Sequence, residues 1–293
     1  MTTLPAVDPG MSEAPARSVT PARSGAPERS GDYSLGADDS ERARLLAQCA
    51  MHRGEAASLL DRIGLGAGGH ALDLGCGPLG VLDLLADRVG PTGRVVGIDR
   101  EQRFLAMAVR SLRERGIDRV ELVDADATDT GLPGGAFDLV HERLVLVNVP
   151  RPEAVIAEMV RLTRPGGWVA VQDVDWLTWT CVPAHPDWAR LTAAVGAAWS
   201  GDVHLGRSLP ALLRAAGLLD VQLQAHIRVH RPGEPYHRLL LRFAEIHRER
   251  ILEGGALSPA ELDGCVERLG AHLDHPDTFT LYATFFQAWG RRP

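Results

Sequence analysis

The chain has 293 residues and a formal net charge of −7, with 45% hydrophobic and 24% charged residues, which is typical of a globular protein. All 31 basic residues are arginine, which excludes lysine chemistry such as Schiff-base formation. The basic residues form no cluster, so nucleic-acid binding is not expected. The apolar runs are too short for a membrane span. With no signal-type apolar core at the N-terminus, we expect a cytoplasmic protein.

The four cysteines are widely separated and form no C-x-x-C motif. This spacing predicts neither a zinc site nor a disulfide framework. The histidines also lack the companion carboxylates or thiols that a metal site would need, so we expect no bound metal.

The N-terminal part of the chain divides into two segments. Residues 1–30 are rich in proline, serine and arginine and almost lack large apolar residues, which predicts a disordered tail. Residues 31–64 carry an apolar stripe at helical spacing and are expected to form a helical cap.

Residues 65–175 alternate strand and helix patterns. The predicted strands are "HALDLG", "GRVVGID", "VELVDAD", the start of "FDLVHERLVLVNV", and "WVAVQDVD". Amphipathic helical patterns separate them. This alternation predicts an open parallel sheet with helices on both faces.

In residues 176–293, the regular alternation of strand and helix patterns ends. Helical patterns surround Trp188 and "SLPALLRAAGL", "DVQLQAHIRV" alternates as a strand, and two further helices follow. The second of these begins at Ser258, with Glu261 three residues later in a capping-box pattern. The segment "TFTLYATFFQAWGRR" is predicted to be one final strand. We expect this region to complete the sheet and to add helices around a substrate pocket.

A glycine loop follows the first strand of the alternating region. "ALDLGCGPLG" contains Gly75, Gly77 and Gly80 in a G-x-G-x-x-G spacing, which occurs in both dinucleotide and S-adenosylmethionine (SAM) sites. Asp73 lies two residues before the first glycine, where its carboxylate would repel a pyrophosphate and suits an ammonium group. The loop therefore favours SAM over a nicotinamide dinucleotide.

Acidic residues end the next two predicted strands. Asp99 can accept hydrogen bonds from both ribose hydroxyls, a device that nicotinamide enzymes share. Asp126 can accept from an adenine amino group, and the N–H of Ala127 can serve a ring nitrogen. The carboxyl ends of parallel strands meet at one edge, so these residues predict an adenosine site there.

The motifs "LDLGCGPLG", "VVGIDR", "VDADATD", "FDLVHERLVLVNV" and "RLTRPGGWVAVQD" resemble, in order and spacing, those of class I SAM-dependent methyltransferases. The resemblance is strongest to the small-molecule branch of quinone-biosynthesis and bacterial natural-product enzymes. It implies a seven-stranded, mostly parallel, doubly wound α/β sheet whose last strand is antiparallel. It also implies SAM as the cofactor.

The resemblance carries cofactor contacts onto this chain by position. The glycine loop would approach the methionine part of SAM, Asp73 its ammonium group, Asp99 the ribose, and Asp126 and Ala127 the adenine. The implied cofactor-binding residues are Tyr33, Asp73, Gly75, Cys76, Gly77, Asp99, Arg100, Asp126, Ala127 and His141.

Three residues are candidates for a general base, which is needed only if the acceptor must lose a proton. These candidates are His141, which could instead only shape the cofactor pocket, Asp175 and His204. Arg143 and Trp176 are candidates for the substrate side. Trp176 serves equally as a pocket wall or as core.

We expect methyl transfer from SAM to an O, N or C atom of a small, fairly apolar metabolite in bacterial secondary metabolism. The alternative is a cyclase that keeps the fold and the SAM site without net methyl transfer. A nicotinamide oxidoreductase is disfavoured by Asp73 and "DADATD", and a non-catalytic module would leave the intact SAM residues unexplained. The expected partner is a small-molecule acceptor, with no nucleic acid and no membrane, and a homodimer is left open.

Overall fold

The computed structural model describes Thr20–Pro21 and residues 39–293. Tyr33 and the predicted disordered tail, apart from Thr20–Pro21, lie outside the described residues. The described part of the predicted N-terminal cap is helical.

The helices of the described chain form where the sequence gives amphipathic spacing and suitable ends. One of them ends at Ile63 because Gly64 adopts a left-handed φ of 74° and donates its N–H to the Leu60 carbonyl oxygen at 3.1 Å. Another begins at Pro152, which fits the first turn because proline needs no N–H partner there. The α-helices are α1 (Asp39–Met51), α2 (Arg53–Ile63), α3 (Leu82–Val89), α4 (Gln102–Arg113), α5 (Pro152–Leu162), α6 (Pro186–Ala198), α7 (Leu209–Ala215), α8 (Leu239–Ile246), α9 (Arg248–Glu253) and α10 (Pro259–Leu273).

The strands of the described chain belong to two sheets. They are β1 (Thr20–Pro21), β2 (His70–Leu74), β3 (Arg94–Asp99), β4 (Val120–Asp124), β5 (Phe137–Arg143), β6 (Thr163–Asp175), β7 (Thr180–Val182), β8 (Leu219–His226), β9 (Val229–His230), β10 (Phe279–Leu281) and β11 (Thr284–Arg291).

The large sheet has the strand order β1-β4-β3-β2-β5-β6-β11-β8. Beside the two-residue β1, seven strands build it, and β11 runs antiparallel to both of its neighbours while the other pairs are parallel. The predicted seven-stranded, mostly parallel sheet is therefore confirmed. Helices α2, α3 and α4 pack on one face, and α5 and α7 pack on the other.

The small sheet has the order β7-β10-β9, and its partners are the helices α6, α8, α9 and α10. This layer shares one apolar cluster with Val147 and Val174, which lie near the carboxyl ends of β5 and β6. The C-terminal third of the chain therefore adds a helical layer beside the edge of the large sheet where ligands bind in such folds.

The prediction of one final strand over "TFTLYATFFQAWGRR" is wrong. The segment forms two strands, with β10 in the small sheet and β11 in the large one. Between them, Tyr282 donates its backbone N–H to the Arg228 carbonyl oxygen at 2.8 Å, so the chain leaves one sheet before it enters the other. Continuous β-type residues gave no signal of this change of sheet.

The predicted capping box at the start of α10 is present. The Glu261 N–H donates to the Ser258 hydroxyl, and the Ser258 N–H donates to the Glu261 carboxylate at 2.9 Å. Ser258→Ala should lower the free energy of unfolding by about 1 kcal/mol, because one N-terminal N–H loses its acceptor. Urea unfolding measures this change, and Ser258→Asp, which keeps an acceptor, should lose much less. Equal losses in both variants would contradict the capping role.

Candidate functional site

A cavity lies at the carboxyl ends of β2 to β6 and is called here the carboxyl-edge cavity. It is lined by the glycine loop, the ends of β3 and β4, α1, residues 143–151, and aromatic side chains from the C-terminal third. Its position is the one at which open α/β sheets bind their ligands.

The glycine loop reaches the cavity with Gly75 and Gly77, which both have positive φ values, 71° and 53°. A Cβ at Gly75 would clash with the Val145 side chain, whereas a Cβ at Gly77 would meet nothing within 4 Å. Gly77 therefore leaves open space for a ligand beside the backbone. Gly75 instead allows close packing of the loop on the chain that follows β5.

Cys76, predicted to contact the cofactor, does not line the carboxyl-edge cavity with the two glycines. Its side chain is buried, and its N–H donates to the Ile98 carbonyl oxygen at 2.8 Å. Burial raises the pKa of its thiol well above the usual range. Cys76 thus ties the loop to β3 rather than facing the ligand.

Gly80, the third glycine of the motif, packs on Asp73 and does not line the carboxyl-edge cavity. Its φ is 54°, and a Cβ there would clash with the Asp73 carboxylate. That carboxylate is 2% exposed, accepts the Val81 N–H at 3.0 Å, and lies 2.8 Å from the Nδ1 atom of His141. Asp73 therefore lies beneath the glycine loop and does not line the carboxyl-edge cavity.

His141, expected as a cofactor contact or base, is also buried at 1% exposure. Its Nδ1 atom faces Asp73, and its Nε2 atom lies 3.1 Å from Oε1 of Gln172. Both ring nitrogens are thus engaged within the sheet. This placement favours a positioning role and corrects the expectation that His141 faces the methionine end of the cofactor.

Asp99 lies in the cavity wall where the sequence predicted it. Its carboxylate oxygens accept the N–H of Gly77 and the N–H of Glu101, both at 2.9 Å. Burial raises the pKa of this carboxyl to about 6. Each carboxylate oxygen keeps acceptor capacity for a further donor on the cavity side.

Asp126, Ala127 and Arg100 also line the cavity. Asp126 accepts the Thr128 N–H at 2.8 Å and the Thr128 hydroxyl at 2.6 Å, both through Oδ1. Those bonds fix the carboxylate just beyond β4 and leave Oδ2 for a ligand. The expected adenosine residues are therefore brought together along one side of the cavity.

Arg143 and Trp176, expected on the substrate side, both line the cavity. Nη2 of Arg143 donates to the Gly80 carbonyl oxygen at 2.8 Å and lies 3.1 Å from Sγ of Cys49. Arg143 thus joins the glycine loop to α1 while it faces the ligand space.

Trp176 belongs to a group of aromatic side chains, here called the aromatic wall, which consists of Trp176, Trp199, Phe243 and Tyr282. The Trp176 and Trp199 rings meet edge to face with centroids 5.1 Å apart, and Trp176 and Phe243 are nearly parallel at 6.1 Å. These rings give the cavity one apolar, flat-sided region.

Asp175 and His204, expected as base candidates, lie together but outside the carboxyl-edge cavity. Asp175 accepts two hydrogen bonds from Arg207 and lies 3.3 Å from Nδ1 of His204. Burial acts to raise the pKa of Asp175, but the hydrogen bonds from Arg207, from the Leu177 N–H and from His204 together lower it. The group closes the turn after β6 and does not face the ligand space.

The sequence did not indicate Phe243 and Tyr282 as cavity residues. They belong to α8 and to the link between β10 and β11, far along the chain from the motifs. Their sequence context is typical of ordinary core residues. They reach the cavity only because the C-terminal helical layer folds beside it. No group of three or more histidine, cysteine or acidic side chains suited to a metal occurs in the described part of the chain.

A sequence model of the methyltransferase-domain family matches residues 65–217, just over half of the chain. The chain belongs to this methyltransferase-domain family. Its strand order and single antiparallel strand at β11 give it the class I methyltransferase fold.

Among curated relatives, the chain is 35% identical over 109 residues to the demethylmenaquinone methyltransferase of Geobacillus stearothermophilus, covering 37% of this chain and 47% of that one. It is 37% identical over 113 residues to nocamycin O-methyltransferase of Saccharothrix syringae, covering 39% and 40%. The matched segment therefore spans less than half of either relative.

Two solved structures are similar in fold. The YcgJ protein of Bacillus subtilis aligns with a TM-score of 0.56 at 17% identity, over 83% of this chain and 100% of that one. Phosphoethanolamine N-methyltransferase 2 of Haemonchus contortus, solved with S-adenosylhomocysteine (SAH), aligns with a TM-score of 0.50 at 18% identity, over 82% and 53%.

Family membership and the cavity chemistry identify SAM as the cofactor of this methyltransferase-domain protein. The residues present fit it: Gly77 leaves open space beside its backbone, and Asp99 and Asp126 keep unused acceptor capacity towards that space. None of the helices between Asp39 and Leu273 has the length and apolar character of a membrane span.

The two glycines at the ends of the motif give a prediction about the loop. Gly77→Ala should lower the free energy of unfolding by about 1–2 kcal/mol, because alanine disfavours the left-handed φ of this position. Gly80→Ala should lower it more, because the new Cβ would also displace the Asp73 carboxylate. Thermal unfolding of both variants measures the difference. Equal costs would contradict the packing of Gly80 on Asp73.

Proposed function

We propose that this protein transfers the methyl group of SAM to an O, N or C atom of a small, fairly apolar molecule in bacterial secondary metabolism, and that it acts in the cytoplasm. The observation that carries this proposal is that one cavity is lined both by acidic residues at the β3 and β4 ends and by the aromatic wall. The resemblance to natural-product methyltransferases supports the metabolic setting.

When bound, SAM supplies an electrophilic methyl group on a sulfonium. Asp99 would hold the ribose hydroxyls, Asp126 and the Ala127 N–H the adenine, and the open backbone at Gly77 the methionine part. These contacts orient the cofactor along the strand ends. The cofactor roles of Tyr33 and Arg100 stay proposals from the sequence.

The aromatic wall supports the apolar acceptor. Flat rings such as Trp176 and Phe243 bind flat apolar groups through dispersion and edge or face contacts. An apolar wall also excludes water from the place of methyl transfer. Rate enhancement can then come from holding the acceptor atom close to the methyl group.

The placement of the base candidates supports transfer by positioning. His141, Asp175 and His204 lie outside the cavity lining. Neighbouring residues engage both ring nitrogens of His141 and the Asp175 carboxylate, and Nδ1 of His204 lies 3.3 Å from Asp175. We therefore assign proton removal from the acceptor to none of these three side chains.

Calorimetric titration tests the cofactor half of the proposal. The purified chain should bind SAH at one site per chain, and NADH, as the control ligand, should not compete with it. Absence of SAH binding, or displacement of SAH by NADH, would contradict the proposal.

Product analysis tests the transfer. Flat hydroxylated and amino aromatic compounds, with cyclohexyl analogues of the same polar group as matched controls, should be incubated with SAM and the protein. A flat acceptor should gain one CH₂ in mass together with formation of SAH. A product of altered structure without gain of mass or SAH would instead identify a cyclase.

The raised pKa of Asp99 gives a pH prediction. The ionised carboxylate is the form that accepts ribose hydroxyls, so SAH affinity should fall as the pH drops below about 6 and should stay nearly constant from there to pH 7. Asp99→Asn should weaken SAH binding by about 1.5–3 kcal/mol for each lost bond and abolish the pH dependence between pH 5 and 7. Asp124→Asn, on the neighbouring strand end, is the matched control and should behave as wild type. An unchanged affinity in Asp99→Asn would contradict the assignment.

A further inference from the structure

Two buried carboxyl groups lie on the same face of two adjacent strands under the cavity. Glu142 on β5 and Asp173 on β6 are both 0% exposed. Strand alternation places them on the sheet face of Val140 and Val171, opposite to His141. The proposed function gives neither carboxyl a role.

Both carboxyls accept hydrogen bonds from the 144–149 loop, the segment that follows β5. Val145 donates its N–H to Oε2 of Glu142, and Val147 donates its N–H to Oδ2 of Asp173, each at 2.9 Å. The loop starts at Leu144, whose φ of 58° is unusual for a side chain branched beyond Cβ. Its shape therefore depends on contacts such as these two hydrogen bonds.

The 144–149 loop connects the two halves of the cavity. The Val145 side chain occupies the space that a Cβ at Gly75 would need, so the loop packs directly on the glycine loop. The Val147 carbonyl oxygen accepts the Nε1–H of Trp199 at 3.2 Å, so the same loop also meets the aromatic wall. A displacement of this loop would disturb both the cofactor side and the acceptor side.

The electrostatics of the two carboxyls disfavour a double negative charge. Neither makes an ion pair with a cation among the described residues, and Oε1 of Glu142 has no hydrogen-bond partner there. Burial raises the pKa of both groups, to about 7 for Asp173, and the Asp173 charge raises that of Glu142 further. Two other ionisable groups act on the pair: Asp73, on the opposite face of the sheet, also raises the Glu142 pKa, and Tyr282 lies in the field of Asp173.

We propose that Glu142 and Asp173 share one proton at neutral pH and together act as a positioning pair that holds the 144–149 loop in its ligand-binding shape. A carboxyl group whose pKa is higher in the folded than in the unfolded protein stabilises the fold at low pH. This stabilisation is lost as the pH rises through the pKa of the folded state. In alkali the shared proton leaves to solvent, two negative charges remain buried under the loop, and the loop loosens.

The test is the pH dependence of SAH binding, which rests on the proposed function. In the wild-type protein, the dissociation constant for SAH should rise between pH 7 and 9, by at most about tenfold for each pH unit, the limit for linkage to one proton. Glu142→Gln, which keeps an acceptor for Val145 but cannot ionise, should bind SAH at pH 7 like wild type and show a flat profile up to pH 9. Glu142→Ala, which lacks the acceptor, should bind weakly at every pH.

The matched control is Glu158→Gln. Glu158 accepts the Thr130 N–H at 2.9 Å and pairs with Arg161 outside the cavity, and those partners lower its pKa. The control should retain the wild-type alkaline weakening. The proposed role of Glu142 and Asp173 would be overturned if SAH affinity of the wild-type protein did not change between pH 7 and 9. It would also be overturned if SAH binding weakened in alkali as much in Glu142→Gln as in Glu158→Gln. Absence of SAH binding at every pH would instead overturn the proposed function.

A second measurement needs no variant and no ligand. Infrared spectroscopy of the unmodified protein should show a protonated buried carboxyl at pH 7 that disappears on titration towards pH 9, while Asp99 is already ionised. If no such band is present at pH 7, the shared proton is refuted, even where Glu142→Gln fails to fold.

Discussion

The hydrogen bond from the Val81 N–H to the buried Asp73 carboxylate fixes the glycine loop on the sheet. The same carboxylate contacts His141 on the next strand, and His141 contacts Gln172 on the one after that. A polar chain thus crosses three strands just below their carboxyl ends. Because these groups are buried, each must find a partner within the protein, and that requirement sets the loop geometry above them. Gly80 is required by this packing and not by the ligand.

Above that chain, one cavity presents two different surfaces. The ends of β3 and β4 contribute carboxylates with unused acceptor capacity, and the C-terminal helical layer contributes flat apolar rings. A cofactor that joins adenosine to an amino acid suits the first surface, and an apolar acceptor suits the second. The 144–149 loop lies between them and contacts both, which makes its support by Glu142 and Asp173 relevant to either ligand.

Much of this arrangement could be predicted from local sequence. Alternating strand and helix patterns gave the parallel sheet, and Asp99 and Asp126 line the cavity because residues at the ends of parallel strands meet at one edge. The direction of side chains within the strands decided the rest. Asp73 and His141 both lie on one face of their strands and bond to each other, so they turn away from the ligand space although their positions match the motif.

Long-range packing explains the remaining differences. Phe243 and Tyr282 reach the cavity only because the helical layer folds beside the sheet edge, and no short pattern encodes that contact. The break between β10 and β11 depends on a hydrogen bond from Tyr282 to Arg228, about fifty residues away in the chain. Asp175 and His204 lie at the expected sheet edge, yet the Asp175 carboxylate accepts hydrogen bonds from Arg207 and neither residue lines the cavity.

A crystal structure of the protein with bound SAH would locate every part of the ligand at once. The ribose hydroxyls should lie on the Asp99 carboxylate, the adenine beside Asp126 and Ala127, and the sulfur should face the aromatic wall. SAH bound elsewhere, or bound with its adenine against the aromatic wall, would contradict the proposed cofactor site.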